Sequence, residues 1–293
     1  MTTEYQIKYH TRNTYEDTVK EAIFELLTVP CSNENQELVS LRFTNSLNEE
    51  VFSYTNLFGF QANRLRSNKN FKTFELNMTA IVEKSAPQGK HYAPTLEEEL
   101  AELKSDHFFI DHHLFLQNSN YTEILPEEQA EILIYKEDKP VFDFLYELNQ
   151  YVSNLLVFSA DHTDVYTTAN EVLKLKKGVC QDYAHVFLAM ARKNGIPCRY
   201  VSGYLNQGLH LHGDSVMHAW VEAYIPQAGW HGFDPTNNLI ANENHIKVAH
   251  GTDYSDCSPL RGIIKTTGLN LKQKTEYSVK VLPKEMAVAE VLS

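Results

Sequence analysis

Residues 178–205 read GVCQDYAHVFLAMARKNGIPCRYVSGYL: a glycine, a cysteine, an apolar helical run, a break and a β-type run. Ala184, Val186, Phe187, Leu188, Ala189, Met190 and Ala191 leave almost no polar face, so the pattern predicts a helix inside the core. Gly195 and Pro197 end it. Cys180 then stands at the N-terminus of a buried helix. There, unpaired backbone N–H groups and the positive end of the helix dipole favour a thiolate over a thiol. The same N–H groups can receive the oxyanion of a tetrahedral intermediate, so one position supplies a nucleophile and part of its stabilisation. Gly178 permits the tight entry that brings the sulfur to the helix end.

A thiolate nucleophile needs a base, and the base needs an orienting acceptor on its other ring nitrogen. Two β-type runs follow the helix, RYVSGYL and MHAWVEAYI, and the chain passes through PQAG into WHGFDP, where Pro235 stops the strand. His218 opens the first strand of this hairpin and Asp234 closes the second, so both fall at the same end. A turn over Ile225 to Gln227 makes them direct neighbours, whereas a turn reaching Gly229 shifts the register.

Upstream, residues 5–86 alternate β-type runs (YQIKYHT, ELVSLRF, EVFSYTN, FKTFELNMTAIVE) with polar breaks, the pattern of an antiparallel β domain. In the last run Lys72, Phe74, Leu76, Met78 and Ala80 share the more apolar face. The break at Ser85-Ala86-Pro87-Gln88-Gly89 marks a domain boundary, and Thr95 with Glu98 forms a capping box opening LEEELAELK. After Pro140, Val141, Phe144, Leu145, Leu148, Val152, Leu155 and Leu156 recur at helical spacing. Thr168 and Glu171 cap a short helix whose lysine-rich end stops at Gly178. The expected division is a β-sandwich over 1–88, a helical connection over 89–139 and a catalytic core over 140–293 that includes the C-terminal strands.

Composition narrows the partners. The net charge of −12 disfavours nonspecific attraction to nucleic acid or anionic lipid. No apolar run approaches a membrane span and the N-terminal segment lacks a signal peptide's apolar stretch, so no membrane partner is expected and the cytoplasm is the default compartment. Four cysteines, Cys31, Cys180, Cys198 and Cys257, are too sparse for a disulfide framework and form no CxxC pair; Cys31, Cys198 and Cys257 read as structural. His210 and His212 would lie on one face of a strand and, with His218, His231 and Asp234, sketch a metal site. No HExxH-type spacing supports it, so neither metal nor cofactor is expected. His112-His113 and the acidic run EEEL read as solvated surface.

The ordered set GVCQDYAH, PCRYVSGYL, HAWVEAYIP, GWHGFDPTNN and DYSDCSPLRG, with HTDVYTTANEVL upstream, resembles the bacterial transglutaminase-like cysteine-peptidase family, a branch of the papain-like Cys-His-Asp enzymes. The resemblance covers roughly residues 120–265, and more weakly extends to the N-terminal β region as that family's accessory domain. It implies Cys180 as nucleophile, His218 as general base and then acid, and Asp234 as the residue orienting His218. It implies Tyr183 and Trp220 as substrate-lining residues, with Asp182 beside them in the first helical turn. One departure is Thr252 in GTDYSD, where the family usually carries arginine, which puts a local salt bridge in doubt.

The expected fold is therefore α+β, a papain-like core with a helix packed on an antiparallel sheet, preceded by a β-sandwich. The expected activity is thiol-dependent hydrolysis of amide or peptide bonds in a protein or peptide substrate. Two alternatives stand beside it: a transglutaminase that passes the acyl group to an amine, and a non-catalytic peptide-binding module. A module that only binds has no chemical need for the three triad residues.

Overall fold

The computed structural model describes residues 2–86, 94–207, 209–268 and 272–283, so Pro87 to Gly89 of the expected boundary lie outside the described residues. The N-terminal lobe contains β1 (Thr2–Leu26), β2 (Gln36–Asn45), β3 (Val51–Thr55), β4 (Gln61–Ser67) and β5 (Phe71–Ser85), antiparallel in the order β2-β5-β1-β4-β3. On β5, Phe74, Leu76, Met78, Ala80 and Val82 are buried in strict alternation, while Lys72 is exposed.

Where two separate sheets are expected, one hydrogen-bonded sheet doubles over. β1 is 25 residues long and shifts register between Thr14 and Val19; its first part pairs along β5 and its last part along β4. Phe24, beyond the shift, stacks on Phe74 of β5 with ring centroids 4.1 Å apart, so the last part of β1 packs against the layer formed by β5 and the first part. Because one strand runs through both layers, the hydrogen bonding is never interrupted.

The connection holds α1 (Leu96–Leu103), α2 (Asp106–Leu116) and α3 (Val141–Leu155). The capping box of Thr95 and Glu98 is formed. EEEL is not all solvated: Glu99 is buried and its carboxylate accepts the Val141 N–H at 2.8 Å. Pro140, the N-cap of α3, has no acceptor side chain, so Glu99 supplies one from another helix. His112 is likewise half-buried against Tyr224, with centroids 4.1 Å apart, while His113 is exposed as expected.

The core follows as β6 (Val157–Phe158), α4 (Ala169–Leu175), β7 (Lys177–Gly178), α5 (Cys180–Lys193), β8 (Cys198–Leu205), β9 (His218–Ile225), β10 (Gly229–Asp234), β11 (Leu239–Ile240), β12 (His245–Gly251) and α6 (Tyr254–Cys257). Its antiparallel sheet runs β11-β10-β9-β8-β12. α5 lies between this sheet and α3 and α4, with every residue from Cys180 to Arg192 buried. Burial of a large apolar side chain such as Phe187 or Leu188 contributes about 1.5–3 kcal/mol, which fixes the helix and with it the position of its first residue. α4 ends on Lys176 in the left-handed region rather than on Gly178, which instead enters the short strand β7.

The C-terminal strands β13 (Leu260–Thr266) and β14 (Gln273–Pro283), expected within the core, pair with β1 in the N-terminal sheet. The helix-and-sheet core is therefore inserted between two parts of one sheet. β14 also grips the loop after β8: the Gln207 N–H donates to Val281 O at 3.1 Å and the Val279 N–H to Ser215 O at 3.0 Å. Among the described residues no helix is long and apolar enough to cross a membrane.

Candidate active site

Cys180 is the first residue of α5, and Val179 is the N-cap. Valine offers no acceptor, so the carboxylate of Asp182 takes the Val179 N–H at 2.7 Å, and the Thr163 hydroxyl donates to the same oxygen at 2.7 Å. Gly178 is required beside it, because a Cβ there would run into the Asp182 side chain. Asp182 is wholly buried and its other oxygen lacks a partner; burial pushes its carboxyl up to about 6 against the hydrogen bonds from Thr163 and Val179. It braces the entry to the helix.

His218 and Asp234 are brought together by a hairpin longer than the tightest alternative. Gly229 pairs with Ile225 and Phe233 with Val221, with Gln227 and Gly229 both at positive φ in the turn. This places Asp234 across from Trp220, and His218 two residues along on the same face, as a diagonal neighbour. His218 Nε2 lies 2.9 Å from Asp234 Oδ2, and both side chains are fully buried. Burial opposes the charged imidazole, but Asp234 and, more weakly, Cys180 outweigh it and hold His218 above the usual histidine range. The Asp234 carboxyl is itself held far below the ordinary range: burial would raise it, and His218 and His245 overcome that.

With Nε2 engaged, Nδ1 is the nitrogen left for Cys180, and among the described residues it has no other hydrogen-bond partner. Gly213 closes over it at φ +88, where an added Cβ would come within 2.5 Å of Nδ1. The arrangement can pass a proton from sulfur to Nδ1 while Nε2–H stays on a fixed carboxylate.

Two further residues complete the carboxylate's surroundings. His245, at the start of β12, donates through Nε2 to Asp234 Oδ2 at 3.2 Å, with its Nδ1 accepting the Asn242 N–H at 3.2 Å. Asn237 adds its side-chain amide to Oδ2 at 2.8 Å, and the Thr236 and Asn237 N–H groups reach Oδ1 at 3.1 and 3.2 Å. The Asx turn at DPTNN is a local signal for Asn237. His245 has none, because it comes from the strand at the opposite edge of the sheet from β10.

Above Cys180 and His218 opens a cavity of about 710 Å³ whose walls come from both lobes. Asp182, Tyr183 and Trp220, expected against substrate, do not line it. Tyr183 points away, its hydroxyl donating to Leu156 O at 3.0 Å. Trp220 lies beneath His218 and Asp234, stacked beside His218 and edge-on to His245, with Gly203 leaving it room. These three sit behind the cavity wall because the apolar face of α5 and the inner face of β9 form the core that holds the site. His210 and His212 lie in a loop, not on a strand; His212 stacks on Phe158. Cys198 and Cys257 are fully buried, and burial pushes both thiols well above their ordinary range. Where arginine was expected, Thr252 bonds Asp256 through its N–H and hydroxyl at 2.8 and 2.6 Å, and Arg192 donates to Thr252 O at 2.6 Å.

Residues 129–235, which contain Cys180, His218 and Asp234, match the model of the transglutaminase-like superfamily. An uncharacterised protein of Mycobacterium tuberculosis is 28% identical over 299 residues, covering 97% of this chain and 94% of its own. A protein-glutamine gamma-glutamyltransferase of Pseudomonas aeruginosa is 37% identical over 67 residues, 21% of this chain and 10% of that protein. The crystal structure of a candidate cysteine protease from Cytophaga hutchinsonii matches with a TM-score of 0.70 at 20% identity, over 96% of this chain and 100% of that one. At that identity the likeness shows the fold alone.

Proposed function

We propose that this transglutaminase-like protein is a cysteine-dependent acyl-transfer enzyme that hydrolyses amide or peptide bonds. The observation that carries the reading is the bond from His218 Nε2 to the buried Asp234 Oδ2, with His218 and Cys180, the first residue of α5, both lining one cavity. With the proton held on His218 Nδ1, Cys180 Sγ attacks the carbonyl carbon, and the developing oxyanion is met by backbone N–H of the first turn of α5. His218 then returns the proton to the leaving nitrogen, the C–N bond breaks and a thioester remains. Water, deprotonated by His218, attacks the thioester; the C–S bond breaks, and the acid is released with the thiol restored. Cys180, His218 and Asp234 are thus nucleophile, base and orienting carboxylate.

The second reading replaces water with a primary amine, and the short likeness to a protein-glutamine gamma-glutamyltransferase favours it. Incubating the protein with glutamine peptides, with and without a primary amine, and weighing the products separates the two: addition of one amine with loss of one ammonia signifies transfer, and chain cleavage or replacement of ammonia by water (deamidation) signifies hydrolysis. Turnover retained by Cys180→Ala would defeat both.

A further inference from the structure

We infer that the N-terminal sheet is one wall of the substrate cleft, and that the cleft takes an uncharged aromatic or large aliphatic group of the substrate beside the carbonyl that Cys180 attacks. This rests on the acyl-transfer reading above.

β1 presents alternate residues to one side, and Tyr9, Thr11, Asn13 and Tyr15 all line the cavity that holds Cys180 and His218. Across the ladder Tyr277 pairs with Thr11 and Thr275 with Asn13, so β14 continues the same wall. The opposite wall is core, with Tyr200 and Tyr254 among its rings. A sheet that served only as a neighbour would not place a row of side chains over the reactive sulfur.

The wall is neutral although the protein is strongly acidic. The described residues lining it include no lysine, arginine or glutamate, and the one aspartate, Asp164, is exposed and engaged by the Tyr166 N–H at 2.8 Å. Asn13 Oδ1 is occupied by the Thr275 hydroxyl at 2.8 Å. Burial holds the Tyr9 and Tyr15 phenols near 12, so they stay neutral. A charged group entering this space loses its hydration and, beyond the reacting His218 and the exposed Asp164, finds no charged side chain to pair with, whereas an apolar group gains from leaving water. The volume of about 710 Å³ lies within the range of sites that enclose sizeable ligands.

The test uses the full chain and a set of dipeptide vinyl sulfones that differ only in the residue next to the electrophile: Phe, Leu, Glu or Lys. Rates of adduct formation are read by intact mass, and the adduct is assigned to Cys180 by peptide mapping. Labelling by the Phe and Leu probes at least about tenfold faster than by Glu and Lys is expected. Equal rates, or a faster charged probe, would overturn the inference. Tyr277→Arg, at an exposed position on β14, should raise the Glu-to-Phe rate ratio; an unchanged ratio would remove the N-terminal sheet from the cleft. Iodoacetamide, which needs no pocket, is the separate control: no alkylation of Cys180 by it defeats the acyl-transfer reading, while ready alkylation with indiscriminate vinyl sulfones defeats the inference alone.

Discussion

His218 meets Asp234 through Nε2 and not Nδ1, at 2.9 Å, which leaves the nitrogen nearer its own backbone to serve Cys180. That choice is made by the register of one hairpin, since Asp234 faces Trp220 and reaches His218 diagonally. Replacing Cys180 by Ala should abolish acyl-adduct formation with the fold intact by circular dichroism. Asp234→Asn should leave adduct formation slower by about a thousandfold, because the imidazole loses its fixed tautomer. Wild-type rates in either variant would contradict the roles.

His245 shares the Asp234 oxygen and should act as a positioning residue. His245→Ala removes a buried donor, so kcat should fall roughly tenfold with KM little changed, and stability should drop by about 1–3 kcal/mol. His245→Gln, which retains a side-chain N–H, should recover part of kcat. A variant in which stability falls and kcat does not would leave His245 a structural residue only.

Asp182 predicts a pH dependence of stability. Its folded carboxyl lies near 6, above the ordinary value near 3.8, so the folded state binds the proton more tightly than the unfolded state. Stability therefore declines as pH rises from about 4 to 6, with a loss of roughly 3 kcal/mol complete above that window. In Asp182→Asn this part of the curve should flatten. Denaturant unfolding at a series of pH values measures it, and an unchanged slope in the variant would refute the assignment.

Gly213 contacts the working edge of His218 at positive φ. Gly213→Ala adds about 1–2 kcal/mol of backbone strain and pushes a methyl group towards Nδ1. Iodoacetamide alkylation of Cys180 and turnover should both fall by more than about tenfold. Alkylation at the wild-type rate would show that the loop stands clear of the imidazole.

Much of this was legible along the chain. α5 could be read because its apolar residues surround the whole helix, and the positions of Cys180 and Asp234 at element ends because Gly178 and Pro235 mark those boundaries. What could not be read was carried by pairings between distant segments. Glu99 caps a helix that begins at Val141. Glu222 is surrounded by Arg199 and Lys247 from β8 and β12, at 2.6 and 2.5 Å. The strands after Leu260 carry the same alternation whichever sheet they join, since period-2 patterning selects a face and not a neighbour. Tyr183 and Trp220 illustrate the same limit at the site: an aromatic near a catalytic residue can face substrate or support the residue from behind, and only the inner packing of β9 decides.

The long strand β1 also sets the order of events when the protein is made. Tyr5 pairs with Pro283 and Thr14 with Lys274, so these contacts close the longest loops in the chain and form late, after the local structure of the core. The helix that begins at Cys180 and the hairpin of β9 and β10 are joined by short connections, but the cavity wall built from β1 and β14 depends on residues far apart in the chain. On refolding from denaturant, the Cys180 thiol should therefore be exposed before the cavity around it closes.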